Sequence, residues 1–135
     1  RFYLGKDPIK EVFASASNIS DKRFKKINDY EISSCILKSK SGVISIINNS
    51  RHCAFGYDQR VEIFGKKGML ISKNKKKYNF FIDRYKLAYK IQLNDLSNLV
   101  KKNKKPRASF IDGEKSLEIA NAAYKSLKGK KVVTI

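Results

Sequence analysis

Apolar positions fall in short, β-branched runs through the first half of the chain and at helical spacing through the second. Ile9, Val12, Phe13, Ala14 and Ala16 predict a strand over residues 8–16. Residues 18–28 are polar and lysine-rich and read as a connection. Two further strands, over 31–37 and 43–47, are joined by a turn at 38–42. Both carry apolar residues on both faces: Ile44 and Ile46 point one way, Val43 and Ile47 the other, which predicts a sheet covered on both sides. Residues 61–64 and 69–72 pair next, around Gly65 and Gly68. The first half therefore reads as a meander of antiparallel strands. Residues 79–82 read as a short buried strand behind a basic hairpin tip.

The second half turns helical. Over 83–102, Tyr85, Ala88, Tyr89, Leu96, Leu99 and Val100 share a stripe that Leu87, Ile91 and Leu93 broaden. Pro106 ensures that this helix has ended. Asp112 is placed to cap a second helix, with Leu117, Ala120, Tyr124 and Leu127 at helical spacing and Gly129 as its stop. Residues 132–135 return as a final strand. Strands followed by helices give an α+β domain, an open, mainly antiparallel sheet with helices on one face.

The chemistry-bearing residues concentrate in a polar corner within residues 48–65. Ser50, Arg51, His52, Tyr57, Asp58, Gln59 and Arg60 lie between two strand-like runs, and Gly56 frees the backbone to turn. A turn held by two strands presents Tyr57 and its polar neighbours from a rigid scaffold, as a binding site does. The other reading is a self-satisfied hairpin in which Asp58 and Arg60 pair across the turn.

Composition narrows this picture. The 135 residues suffice for one domain with a core, and an apolar share of 41% spread along the chain excludes disorder. No apolar run approaches the roughly 20 residues that span a bilayer, and Lys6, Asp7 and Pro8 interrupt what could be a signal peptide. With no initiator methionine, the chain reads as a fragment or a processed product. A net charge of +18 points to a polyanion partner, nucleic acid or an anionic membrane surface, or else to solvated lysines. The lysines are scattered from Lys6 to Lys131 and cluster only at 73–77 and 101–105, which favours solvation. Cys35 and Cys53 are too far apart for a C-x-x-C motif and no disulfide framework is evident, so a reducing cytoplasm fits. His52 is the only histidine, so the usual Cys/His zinc site is not supported, and as a lone base it lacks an orienting partner.

The run S-R-H-C-A-F-G-Y-D-Q-R-V-E-I-F-G-K-K-G-M-L resembles the signature of the inositol 2-dehydrogenases within the Gfo/Idh/MocA oxidoreductases, approximately S-R-x-A-x-Y-G-Y-D-Q-R-x-E-x-F-G-x-x-G. F-I-D-R-Y-K-L-A-Y-K-I-Q-L is similar to that family's R-Y-x-x-A-Y helix, and D-G-E-K-S-L-E-I-A-N-A-A-Y-K-S-L-K-G-K-K-V to its closing D-G-x-x-A-L-x-I-A-x-A-A helix. The opening R-F-Y-L-G-K-D-P-I-K-E-V resembles the end of the helix that leads from the family's catalytic site into this domain. The likeness covers nearly the whole chain, and its three motifs occur in order.

This resemblance implies an NAD(P)-dependent enzyme of inositol catabolism that transfers a hydride from a ring carbinol. Residues 1–135 would be its C-terminal substrate-side and oligomerisation domain. The family's G-x-G-x-x-G turn for NAD, its catalytic Lys, and its Asp/His pair would precede Arg1, in a Rossmann domain that is absent here. The isolated chain is thus expected to be inactive, with no catalytic residue, cofactor ligand or metal ligand of its own. Tyr57 falls on the position that contacts the polyol or sugar substrate. The implied partners are that Rossmann domain and further copies joined through the sheet face. Two departures bear on the substrate: Phe55 replaces the first Tyr of Y-G-Y-D, and Glu31-Ile32 stands in place of the last two residues of a D-x-D-T pattern. The alternative is a non-catalytic basic module that binds nucleic acid or another polyanion.

Overall fold

Residues 2–135 are described by a computed structural model. A 3-10 turn, Phe2–Leu4, precedes β1 (Ile9–Ser17), α1 (Arg23–Lys26), β2 (Ile32–Ser39), β3 (Ile44–Ser50), β4 (Val61–Gly65), β5 (Gly68–Ser72), α2 (Phe81–Lys102), α3 (Phe110–Gly129) and β6 (Val133–Thr134). The chain divides into two compact units, one made of the sequence up to Arg51 with Arg107–Ile135, the other of His52–Pro106.

The first unit is built on a four-stranded antiparallel sheet in the order β3-β2-β1-β6. Alternation along the strands decides which side is covered. Val12, Ala14 and Leu37 are buried on one face, where Ile9, Val12 and Leu37 join Ala122 of α3 in the core. Ala120, Ala122 and Ala123 keep α3 narrow enough to lie close to β1. The register pairs Phe13 with Ile36 and Ile36 with Ile46, so these three residues and Ile44 share the opposite face. Cover on both sides, as the sequence predicts, is not found: that second face leaves Ile44 and Ile46 about two-thirds exposed. Among the described residues, β6 pairs only with Glu11 and Val12. Beyond its end, fully buried Ser126 accepts the Ala14 N–H at 3.0 Å and donates to the Lys131 carbonyl at 2.6 Å, satisfying the edge of β1.

Within the predicted connection 18–28 lies the short helix α1. The start of α3 differs from expectation. Ser109, not Asp112, is the N-cap, and Asp112 is its capping-box partner: the Ser109 N–H donates to Asp112 Oδ2 at 2.8 Å, while Ser109 Oγ accepts the Asp112 N–H. The left-handed residue that closes α3 is Lys130, one past Gly129.

The second unit contains the β4–β5 hairpin and α2. No described residue of it is buried. The strand predicted over 79–82 does not exist, because Phe81 and Ile82 form the first turn of α2. Apolar character alone cannot separate a short strand from a helix start, and here the helical period of the following residues extends back to Phe81. Asn103, at φ 47°, ends the helix in the left-handed conformation, three residues before Pro106.

Candidate functional site around Tyr57

The corner is not a hairpin turn. β3 belongs to the four-stranded sheet, whereas β4 pairs only with β5, and residues 51–60 between them contain no strand. Its residues divide accordingly. In the first unit, the Arg51 N–H donates to the Glu31 carbonyl at 2.9 Å, and its guanidinium pairs with Asp29 and lies 5.2 Å from the Phe24 ring centroid. Ser50 ends β3 opposite Ile32. His52, Asp58, Gln59 and Arg60 of the second unit are exposed, and Arg60 binds Asp58 at 2.8 Å. That pairing is what the self-satisfied reading expected, made within a non-hairpin connection.

Tyr57 is half-buried and held at both its backbone polar groups. Its N–H donates to the Tyr78 carbonyl at 2.7 Å, and its carbonyl accepts from Asn74 Nδ2 at 2.7 Å. Gly56 makes this approach possible: its φ is +92°, and a Cβ there would stand 2.2 Å from the Tyr78 oxygen. Arg84, in the first turns of α2, donates from Nε to Asn74 Oδ1 at 2.7 Å. The same guanidinium lies 5.6 Å from the Tyr78 ring centroid and 5.2 Å from that of Tyr85. The Tyr57 ring meets Tyr85 edge-on at 6.0 Å and Phe81 at 6.3 Å. Burial, then a hydrogen bond with Tyr57, push the Tyr85 phenol above its ordinary pKa.

Sequence reasoning singled out Tyr57 and missed Asn74, Tyr78, Arg84 and Tyr85. Asn74 sat in a lysine run that read as solvated, and Tyr78 directly follows it. Tyr85 lay on the apolar stripe of the predicted helix, with Arg84 beside it in the R-Y-x-x-A-Y motif, and neither was given a role in the site. The usable signal was Asn74, an uncharged polar residue inside a run of lysines, where it adds nothing to a charged tip.

Glu31, the second departure from the family pattern, is 2% exposed in the first unit. Its carboxylate accepts the N–H groups of Ile19, Ser20 and Asp21 and the Ser20 hydroxyl. The Ser20 hydroxyl, then the Asp21 N–H, hold its pKa down at about 2 against the opposing effect of burial. Glu31 thus clamps the loop before α1. Each unit also carries an open groove. One, of about 460 Å³, is lined by Tyr30, Ser33, Cys35, Asn49 and Tyr124. The other, of about 630 Å³, is lined by Lys76, Arg84, Lys86 and Lys90. Tyr57 lines neither. Among the described residues, no helix is long and apolar enough to cross a membrane.

The family profile described as the GFO/IDH/MocA C-terminal domain matches residues 1–71. The chain is 32% identical over its whole length to a myo-inositol 2-dehydrogenase of Thermotoga maritima, covering 45% of that protein. It is also 32% identical to an inositol 2-dehydrogenase of Rhizobium meliloti, covering 46% of it. Among solved structures, a putative myo-inositol dehydrogenase of Sinorhizobium meliloti superposes on the whole chain with a TM-score of 0.92 at 32% identity, over 46% of its own length. A myo-inositol dehydrogenase of Corynebacterium glutamicum superposes on 95% of the chain with a TM-score of 0.88 at 34% identity, over 44% of its length. The chain therefore spans about half the length of the relatives it matches. Its open antiparallel sheet with helices is their architecture as well, and the chain belongs to the GFO/IDH/MocA C-terminal domain family.

Proposed function

We propose that the chain is the substrate-side domain of an NAD-dependent inositol or polyol dehydrogenase, in which Tyr57 contacts a substrate hydroxyl. The observation that carries this reading is the fixed backbone of Tyr57, held by Tyr78 and Asn74 in a chain similar along its whole length to inositol dehydrogenases. The residues present do not fit a dinucleotide. Neither long helix starts at a glycine-rich turn, and the N-terminus of α3 is occupied by the Asp112 carboxylate, which repels a pyrophosphate. The cofactor then belongs to a separate Rossmann domain, and the isolated chain is inactive. Within the complete enzyme Tyr57 orients the polyol: its hydroxyl can donate to or accept from a substrate hydroxyl while its backbone stays fixed.

The test is Tyr57→Phe in the complete dehydrogenase. It removes one neutral hydrogen bond to the substrate, about 0.5–1.5 kcal/mol, together with the bond between the Tyr57 and Tyr85 hydroxyls, and leaves the ring contacts in place. The polyol KM is expected to rise several-fold to roughly tenfold with NAD affinity unchanged. Wild-type KM and kcat/KM for the polyol would make Tyr57 a scaffold residue. Saturable NAD binding by the 135-residue chain alone would remove the assignment of the cofactor to another domain.

The same reading gives the exposed sheet face a role. Phe13, Ile36, Ile44 and Ile46 form an apolar stripe on the side of the sheet away from α3, and that stripe is buried between copies of the enzyme. Of the two sets of apolar positions on β3, Ile44/Ile46 is the one that takes part.

A further inference from the structure

We propose that Arg84, acting through Asn74, is the positioning residue that fixes Tyr57 for its substrate. This inference rests on the reading of Tyr57 as a substrate contact. It starts from a feature of the second unit: no residue there is fully buried, so hydrogen bonds and ring contacts among half-buried residues hold the corner in place. Its half-buried residues include Gly56, Tyr57, Asn74, Tyr78, Arg84 and Tyr85, and one guanidinium links most of them.

The logic of the network runs outward from Arg84. Its Nε can only donate, so Asn74 must present Oδ1 to it. That choice turns the Asn74 Nδ2 toward Tyr57, where it meets the carbonyl at 2.7 Å. A flipped amide would set donor against donor at Arg84 and acceptor against acceptor at Tyr57, so the two bonds fix each other. The Tyr57 N–H is held by the Tyr78 carbonyl, and the Tyr78 ring lies by the same guanidinium. Tyr85, also beside that guanidinium, sets the Tyr57 ring edge-on. Arg84 therefore bears on Tyr57 through its carbonyl, its N–H and its ring. Lysine does not substitute: an ammonium has no flat face to lie along two rings and no rigid donor fork.

The experiment compares Tyr57→Phe, Arg84→Lys, Asn74→Asp and the double variant Tyr57→Phe/Arg84→Lys in the complete dehydrogenase. Arg84→Lys is expected to raise the polyol KM several-fold to roughly tenfold while the NAD KM stays put. The double variant is expected to be no worse than the more affected single one, because both changes disable the same contact. Asn74→Asp keeps the acceptor for Arg84 but loses the donor to Tyr57, so it is expected to raise the polyol KM while Arg84 stays anchored. It also serves if Arg84→Lys fails to fold. A polyol KM for the double variant equal to the product of the two single effects overturns the proposal, as does an Arg84→Lys enzyme with a lowered melting temperature and wild-type KM where Tyr57→Phe raises that KM.

A second readout does not depend on turnover. In protein labelled with fluorotyrosine, the Tyr57 resonance, assigned by its loss in Tyr57→Phe, is expected to shift or broaden in Arg84→Lys and Asn74→Asp. Those of Tyr30 and Tyr124 in the first unit are expected to stay in place. An unmoved Tyr57 resonance overturns the positioning role whatever the kinetics show. A moved resonance with wild-type KM in Tyr57→Phe leaves the clamp standing and removes the substrate contact, so the two readings fail separately.

Discussion

Gly56 and Gly42 form a matched pair for testing whether the corner is held as tightly as its geometry implies. Their φ angles are +92° and +93°, so alanine meets similar conformational strain at both, roughly 1–2 kcal/mol. Their surroundings differ. Around Gly42, in the turn where its N–H donates to the Ser39 carbonyl at 3.0 Å, a Cβ meets nothing within 4 Å. At Gly56 it lies 2.2 Å from the Tyr78 oxygen and 3.2 Å from the Tyr78 carbon, both backbone atoms that cannot rotate away. The Tyr78 peptide has to move, which breaks the bond from the Tyr57 N–H. That adds about 0.5–1.5 kcal/mol to the strain. Gly42→Ala should therefore cost about 1–2 kcal/mol, and Gly56→Ala about 1.5–3.5 kcal/mol. Equilibrium urea unfolding measures both, and in the complete enzyme Gly56→Ala should also raise the polyol KM while Gly42→Ala does not. Equal losses of stability, or a Gly56→Ala enzyme with wild-type KM, would refute the claim that the Tyr78 carbonyl fixes the corner.

Two further outcomes are expected. The Glu31 carboxyl sits near 2 in the folded chain against an ordinary 4.5, so its contribution to stability is complete above pH 4.5 and disappears as pH falls toward 2; the gap in urea midpoint between wild type and Glu31→Gln should be widest near neutrality and close across that window, and a gap independent of pH would contradict the clamp. Ile46→Glu in the complete enzyme should shift its sedimentation toward smaller species if the Ile44/Ile46 face joins copies; a wild-type enzyme that sediments as a single monomer would count against that interface.

The strands and helices were legible because their signals are local. The runs at 8–16, 31–37 and 43–47 became β1, β2 and β3, and the stripe over 83–102 became α2, with shifts only at the ends. What was not legible depended on partners far along the chain. Nothing near Ser126 says that its hydroxyl replaces a strand at the edge of β1, since Ala14 lies 112 residues away. Cover on both faces of the sheet was inferred from apolar residues on both faces of β3. Within the chain α3 covers one of them and the other stays exposed, so periodicity reports which faces are apolar without reporting which are covered.

The site follows the same division with a different outcome. Local sequence marked the polar cluster beside Gly56 as a turn, and only the family resemblance singled out Tyr57 within it. The residues that hold Tyr57 were not found, because each has an adequate local explanation: Asn74 in a charged tip, Tyr78 after it, Arg84 and Tyr85 on an amphipathic helix. Their joint role exists only once the chain from 57 to 85 has folded back, when one planar cation meets an amide and two rings. The second unit shows why this matters for reading function. α2 buries no residue, and Leu87, Ile91 and Leu93 remain more than half exposed. Its apolar stripe therefore marks a helix without marking a core. The residues at its N-terminus that fix the corner are the polar and aromatic ones that a search for hydrophobic period passes over.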